Sequence, residues 1–172
     1  MKVRILKVDT NEEVNASIVK GDPIKLPSVT DGWRFNFNRQ AKKGNSQAYV
    51  LITEETPDII EGCLIYKMRD EIEPYLAFIE IAPHNRGRQK KYDKVAGCLI
   101  AYASRLSFIL AEGPYKGWLA FEVSEEKKEN QLKLMTIYST KYGAIRLAET
   151  NTMLIKPEDG EKLIEEYITL QT

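Results

Sequence analysis

The chain has 172 residues, 25 of them Lys or Arg and 25 Asp or Glu, so its formal net charge at pH 7 is zero. That length suits one domain with a proper core, and the cancelled charge gives no support to nucleic acid or an anionic membrane as a partner, although a local basic patch can still hold an anion. Cys63 and Cys98 sit in apolar runs without metal-ligand spacing, which excludes a disulfide scaffold and reads as reduced core thiols; the start MKVRILKVDT has no apolar leader core and no run approaches the ~20 residues of a membrane span, so a soluble, cytoplasmic protein is expected.

In chain order, Val3, Ile5 and Val8 between basic residues predict a strand over 2–8, and a second short strand follows over 16–19. The segment GDPIKLPSVTDG, with two prolines and two glycines, predicts a wrapping loop. In WRFNFNRQAKK, over 33–43, the spacing of Trp33, Phe37 and Ala41 predicts a helix capped by Asp31. The alternation of Trp33, Phe35 and Phe37 leaves a strand start open. Residues 1–45 thus read as a strand, loop and helix extension of a single domain spanning 1–172, with no legible role. Strands over 48–53, 59–68 and 75–82, joined by the acidic link EETPD and a short polar turn, should lie antiparallel.

Pro83 cannot donate to a sheet ladder, so the strand over 75–82 should stop there and give way to a basic loop, 84–94. A helix follows, in which Val95, Cys98, Leu99, Tyr102 and Leu106 form an apolar stripe wide enough to pack on a sheet. Its first turn has unpaired N–H groups and is approached by Arg86, Arg88, Lys90, Lys91 and Lys94, an arrangement that attracts phosphate; the plainer reading is a solvated basic connection. Gly113 and Pro114 should end this helix, and GWLAFEV, over 117–123, reads as a buried strand. Strand, helix, strand implies a parallel crossover. A second helix is predicted over 130–142, carrying Leu134, Met135, Tyr138 and Tyr142 and stopped by Gly143. A final strand over 152–155 precedes a terminal amphipathic helix opened by Pro157, with Leu163, Ile164, Tyr167 and Ile168 on its apolar side. The fold class is therefore α/β, a mixed central sheet with antiparallel N-terminal strands and a parallel crossover after the buried helix.

The segments IEIAPHNRG, KKYDKVAGCLIAYA and IYSTKYGA, in this order within residues 48–155, resemble the GCN5-related N-acetyltransferase (GNAT) superfamily. There a strand ending near a proline leads through a pyrophosphate-binding loop into the helix that supports acetyl-CoA. The family's loop reads Arg or Gln, two residues, Gly, one residue, Gly or Ala, because small residues let backbone amides approach the pyrophosphate. Aligned backward from Leu99, these positions fall on Lys91, Lys94 and Ala96, of which only Ala96 conforms. Aligned forward from Pro83, Arg86 and Gly87 supply the RG, with about five extra residues before the helix. The loop is thus longer and more basic than the family's.

The resemblance implies acyl transfer from acetyl-CoA to a small-molecule or protein amine, with no metal and with a homodimer left open. It implies cofactor contacts at Ile81, Ala82, Asn85, Arg86, Gly87, Lys91, Lys94, Val95, Ala96 and Gly97, where the N–H groups around Ile81 and Ala82 would hold the thioester carbonyl. Glu80 is the candidate base, since a protonated amine has no lone pair; a structural ion pair is the competing reading. Tyr138 is the candidate acid for the leaving thiolate, although the family's register before the glycine falls on Ser139. Tyr142 is the other option, and packing explains either ring as well. His84 would touch a phosphate or the acceptor, or else stand exposed. A non-catalytic module of the same fold, binding coenzyme A or another protein, is the alternative function, because fold alone does not fix activity.

Overall fold

The computed structural model describes residues 1–23 and 25–169. Its strands are β1 (Lys2–Lys7), β2 (Glu12–Lys20), β3 (Ser46–Thr53), β4 (Ile60–Arg69), β5 (Glu73–Ile81), β6 (Tyr92–Asp93), β7 (Leu119–Glu122), β8 (Ile145–Arg146) and β9 (Thr152–Ile155), and its helices are α1 (Phe37–Ala41), α2 (Val95–Leu110), α3 (Lys128–Tyr142) and α4 (Pro157–Tyr167). Among the described residues the strands form one sheet in the order β6-β1-β2-β3-β4-β5-β7-β9-β8. β1 to β5 run antiparallel in succession, and β7 joins β5 in parallel across the α2 crossover, as the apolar run of GWLAFEV predicts.

Alternation along the strands sends two sets of side chains to opposite faces. One face, with Ile5, Ile18, Leu51, Leu64, Leu76, Leu119 and Phe121, packs on the stripe of α2 and on Leu163 and Tyr167 of α4. The other face, with Val50, Cys63 and Ile65, is covered by Trp33 and Phe37. Both cysteines are fully buried free thiols in these layers, and burial pushes both above the ordinary thiol range, Cys98 to about 12.

Several boundaries differ from those the sequence predicts. The helix expected over 33–43 shrinks to α1, capped by Asn36, whose side chain accepts from Arg39 N at 2.9 Å. Asp31 instead closes a short 3-10 turn by accepting from Ser28 N at 2.8 Å. Residues 33–35 stay out of the helix and bend at 34 and 35, the amides of Arg34 and Phe35 being claimed by a side chain from β5, described below. The second strand is longer than 16–19, and α2 ends at Leu110, before the 3-10 turn at Gly113–Tyr115. Basic loop 84–94 is not a free connection: Tyr92 and Asp93 pair with Lys7 and Leu6 at the sheet's far edge. Ile168 leaves α4 and bridges to Val3. The wrapping loop expected over 21–32 is described except at residue 24. Among the described residues no helix is long and apolar enough to cross a membrane.

Candidate active site

β5 and β7 pair at one register only, Tyr75 with Ala120, and then part. Just past that pair β5 carries a bulge: Ile65 faces Phe78 and Tyr66 faces Leu76, so Ala77 is the extra residue. A bulge bends its strand and strengthens its twist, which opens a sheet locally. The result is a cleft of about 330 Å³ lined by both strands, by Leu134 and Tyr138 of α3, and by Arg34 and Phe35 from the segment before α1.

The backbone lining this cleft follows from one hydrogen bond. Ala82 N donates to Glu61 O on β4 at 2.9 Å, so by alternation the groups of Ile79 and Ile81 turn the other way, toward the gap. The Ile81 N–H thus faces away from β4, while its carbonyl accepts from the Arg86 guanidinium at 3.1 and 3.2 Å. Ala82 does not stand where the sequence reading expects it: its amide, expected to hold a thioester carbonyl, is already spent on the sheet.

Tyr138 sits on the cleft wall, edge-on to Phe121 with ring centroids 5.0 Å apart. Burial, reinforced by the nearby Glu125 carboxylate, raises its phenol above the usual tyrosine range, so the proton stays on. The helix end explains why Tyr138 and not Ser139 takes this position. Gly143 adopts the left-handed conformation at φ 69, with Gly143 N bonding Ser139 O and Ala144 N bonding Tyr138 O. Ser139 is exposed, while Tyr142 is buried in the core, 6.5 Å from the Tyr167 ring.

Glu80 is not among the residues lining the cleft. Its carboxylate accepts from Arg34 N at 2.7 Å and Phe35 N at 3.0 Å, and it forms an ion pair with Arg86. Its lone pairs are engaged in holding residues 34–35 across the sheet, which is the structural reading of this residue. Arg34 then reaches over the cleft mouth to Glu125 Oε1 at 2.6 Å and Ser124 O at 3.0 Å. The strap 34–35 thus spans from β5 to the end of β7.

The remaining expected cofactor residues divide into two groups. Arg86 folds back, giving Nε to Ile81 O at 3.2 Å as well as pairing with Glu80, so its side chain does not reach outward. Asn85 is buried, bonding Glu61 O at 3.1 Å and Glu61 Oε2 at 2.9 Å and accepting from Tyr92 N at 3.0 Å. Val95 is buried, and a Cβ on Gly97 would lie 2.3 Å from the Tyr167 ring, so that glycine serves the contact between α2 and α4. Gly87, Lys91 and Lys94 stay exposed and Ala96 is half-buried. No side chain caps the start of α2, and the first bond within it is Cys98 N to Lys94 O, which leaves the amides at 95–97 to the loop side. His84 is half-exposed against the buried Glu61 carboxylate, pinning the loop's start to β4. Among the described residues no group of three or more His, Cys, Asp and Glu could hold a metal.

The sequence reading missed Arg34, Tyr75, Glu122 and Glu125. Glu122 had a signal, being the one charge in GWLAFEV. Arg34 sits inside an aromatic run that read as a helix, and Glu125 lies in a charged stretch that gave no signal at all.

No protein-family model matches the chain, and neither does any curated protein sequence. Solved structures do. A KacTA–DNA complex matches with TM-score 0.58 at 16% identity, covering 88% of this chain and 99% of the other. AtaTR bound with AcCoA matches with TM-score 0.59 at 19% identity, covering 86% and 97%. Mutant forms of the spermidine/spermine N-acetyltransferase SpeG from Vibrio cholerae match with TM-score 0.54 at 13% identity, covering 86% and 98%. With a mixed sheet that opens after its one parallel pair, and with these likenesses over most of its length, the chain has the fold of the GCN5-related N-acetyltransferases.

Proposed function

We propose that this protein is an acetyl-CoA-dependent N-acetyltransferase that moves an acetyl group from sulfur to a primary amine. The observation that carries this reading is the cleft between β5 and β7 with Tyr138 on its wall. Its volume of about 330 Å³ lies at the low end of small-molecule sites, which suits a thin pantetheine arm. That arm would lie along β5, its amides bonding the Ile79 backbone groups and the Ile81 N–H, which lack a β7 partner. The pyrophosphate lies at the start of α2, held by Lys91, Lys94 and the amides of 95–97. The amine nitrogen attacks the thioester carbonyl, the C–S bond breaks, and the sulfur leaves toward Tyr138. A phenol with a raised pKa gives its proton to a thiolate of pKa near 8.5 only uphill, by about 2 kcal/mol or more. Tyr138 therefore acts chiefly as a hydrogen-bond donor that keeps charge on sulfur cheap to develop. Glu80 is a positioning residue in this scheme, acting through the strap it holds.

A second reading, a non-catalytic module binding coenzyme A or another protein, is favoured by one observation: Arg86 and Gly97, expected at the pyrophosphate, face inward. Incubation with acetyl-CoA and a panel of amines, following thiol release, separates the two. Tyr138→Phe should cut turnover by roughly ten- to a thousandfold with the fold intact, and Tyr142→Phe should leave turnover unchanged. Binding of acetyl-CoA without turnover favours the coenzyme A-binding module; no binding at all overturns the enzyme and that module alike and leaves only the protein-binding one.

A further inference from the structure

We propose that the acyl acceptor is a cationic alkyl amine, and that Glu122 at the mouth of the cleft receives its ammonium group. This rests on the acyl-transfer reading above.

Two carboxylates line the cleft, Glu122 and Glu125. Glu125 is taken by the Arg34 guanidinium at 2.6 Å. Glu122 is exposed and has no hydrogen bond or ion pair among the described residues. Leu119 and Phe121 of β7 point into the core under α2, so alternation turns Glu122 to the opposite face, toward Tyr75, whose phenol its charge perturbs. On that face Arg69 feels the Glu122 charge, but its guanidinium is held by both oxygens of Glu73, at 2.8 Å each, and makes no ion pair with Glu122 among the described residues. Of the carboxylates around the cleft mouth, Glu122 alone remains to be satisfied by something from outside.

A second observation gives the charge of that partner. The chain's own cation, Arg34, is already seated at this mouth on Glu125 Oε1 and Ser124 O, with its guanidinium carbon 5.1 Å from the centroid of the Phe35 ring. A mouth that holds a guanidinium by carboxylate, carbonyl and aromatic face is built for cations, and an anionic acceptor would meet two carboxylates there. Glu122 provides the same kind of place one step nearer the bulge at Ala77.

The chemistry balances with solvent alone. The ammonium gives one proton to water at the exposed mouth, and the freed lone pair forms the C–N bond to the thioester carbonyl carbon. The C–S bond breaks with its electron pair on sulfur, where the Tyr138 hydrogen bond steadies the charge until the thiolate takes a proton from solvent. The second nitrogen proton also leaves to water. An ammonium and acetyl-CoA thus yield an amide, the coenzyme A thiol and one net proton.

The test compares two acceptors, n-butylamine, cationic at neutral pH, and aniline, which is neutral. Glu122→Gln should raise the apparent KM for butylamine tenfold or more, leave that for aniline and the Kd for acetyl-CoA unchanged, and be partly rescued by Glu122→Asp. Equal losses with both amines, or no loss with either, would overturn the proposal. If the wild-type protein releases no thiol with any amine, the acyl-transfer reading fails, and NMR titration with butylammonium still judges the site. Shifts at the cleft that vanish in Glu122→Gln support it; absent or equal shifts in the two proteins sink it.

Discussion

The loop over 83–94 and the cleft between β5 and β7 make opposite use of their residues. The loop is the most basic stretch of the chain, yet part of its charge is spent internally: Arg86 on Glu80 and Lys90 on Asp93 at 3.1 Å. The cleft has few charges and leaves its groups open, with the backbone of Ile79, the Tyr138 phenol and Glu122 all unspent. A charged side chain is available to a ligand only when the fold does not consume it, and consumption is decided by neighbours distant in sequence.

The largest effect that tests this contrast is at Glu80. Glu80→Gln keeps the size but removes the charge facing Arg86 and weakens the bonds from Arg34 N and Phe35 N. Losing one partner of a buried pair costs about 3–5 kcal/mol; Arg86 is 40% exposed here, so about 2–3 kcal/mol is expected in urea denaturation. A variant of undiminished stability and lost turnover would instead return Glu80 to the role of base.

Next comes alkaline pH. Burial raises the phenols of Tyr66 and Tyr142 well above the ordinary range, and those of Tyr102 and Tyr167 to about 12. The sign follows from linkage: the unfolded chain releases these protons near pH 10, before the folded protein does, so stability is intact below about pH 10 and falls as pH climbs toward 12. Denaturation midpoints between pH 8 and 11.5 should show a flat region and then a decline; a flat profile throughout would mean that the rings are solvated.

How much of this was legible in the sequence depends on whether the cause is local. The α2 stripe, the Gly143 stop, Pro157 at the start of α4 and the parallel crossover all follow from spacing and backbone chemistry within a few residues. The non-helical strap at 33–35 was misread because the amides of Arg34 and Phe35 are satisfied by Glu80, more than forty positions away. The cleft was legible only through the family resemblance, since nothing in the residue types of β5 and β7 says that they part after Tyr75 and Ala120. For Tyr138 the motif's register pointed to Ser139, whereas the helix phase against Phe121 puts the tyrosine on the wall.

Gly97 offers a smaller effect on the loop side. Alanine there gains about 1 kcal/mol of helix propensity, but its Cβ would sit 2.3 Å from Tyr167, and overpacking costs about 1–3 kcal/mol. A net loss of up to about 2 kcal/mol in thermal or urea unfolding is expected. An unchanged Tm would show that the Tyr167 ring yields and that Gly97 is free to face a ligand.

The smallest effect should come from the loop cations that the fold leaves exposed. Lys91 and Lys94 stand at the uncapped start of α2, and each exposed cation near a bound phosphate is worth about 0.3–1 kcal/mol at low ionic strength. Replacing both with alanine should therefore weaken coenzyme A binding about three- to thirtyfold by calorimetry. The difference should fade in 0.5 M salt, where exposed charges are screened within a few ångströms, and urea stability should not move. Arg86→Ala is the counterpart on the spent side of the loop. It should lower stability by removing the guanidinium from Glu80 and Ile81 O, and its coenzyme A affinity, measured in the folded fraction, should change less than that of the double lysine variant. If Arg86→Ala instead loses affinity in a salt-dependent way with stability intact, the guanidinium swings outward when ligand binds, and the line between the spent charges of the loop and its open ones would have to be redrawn.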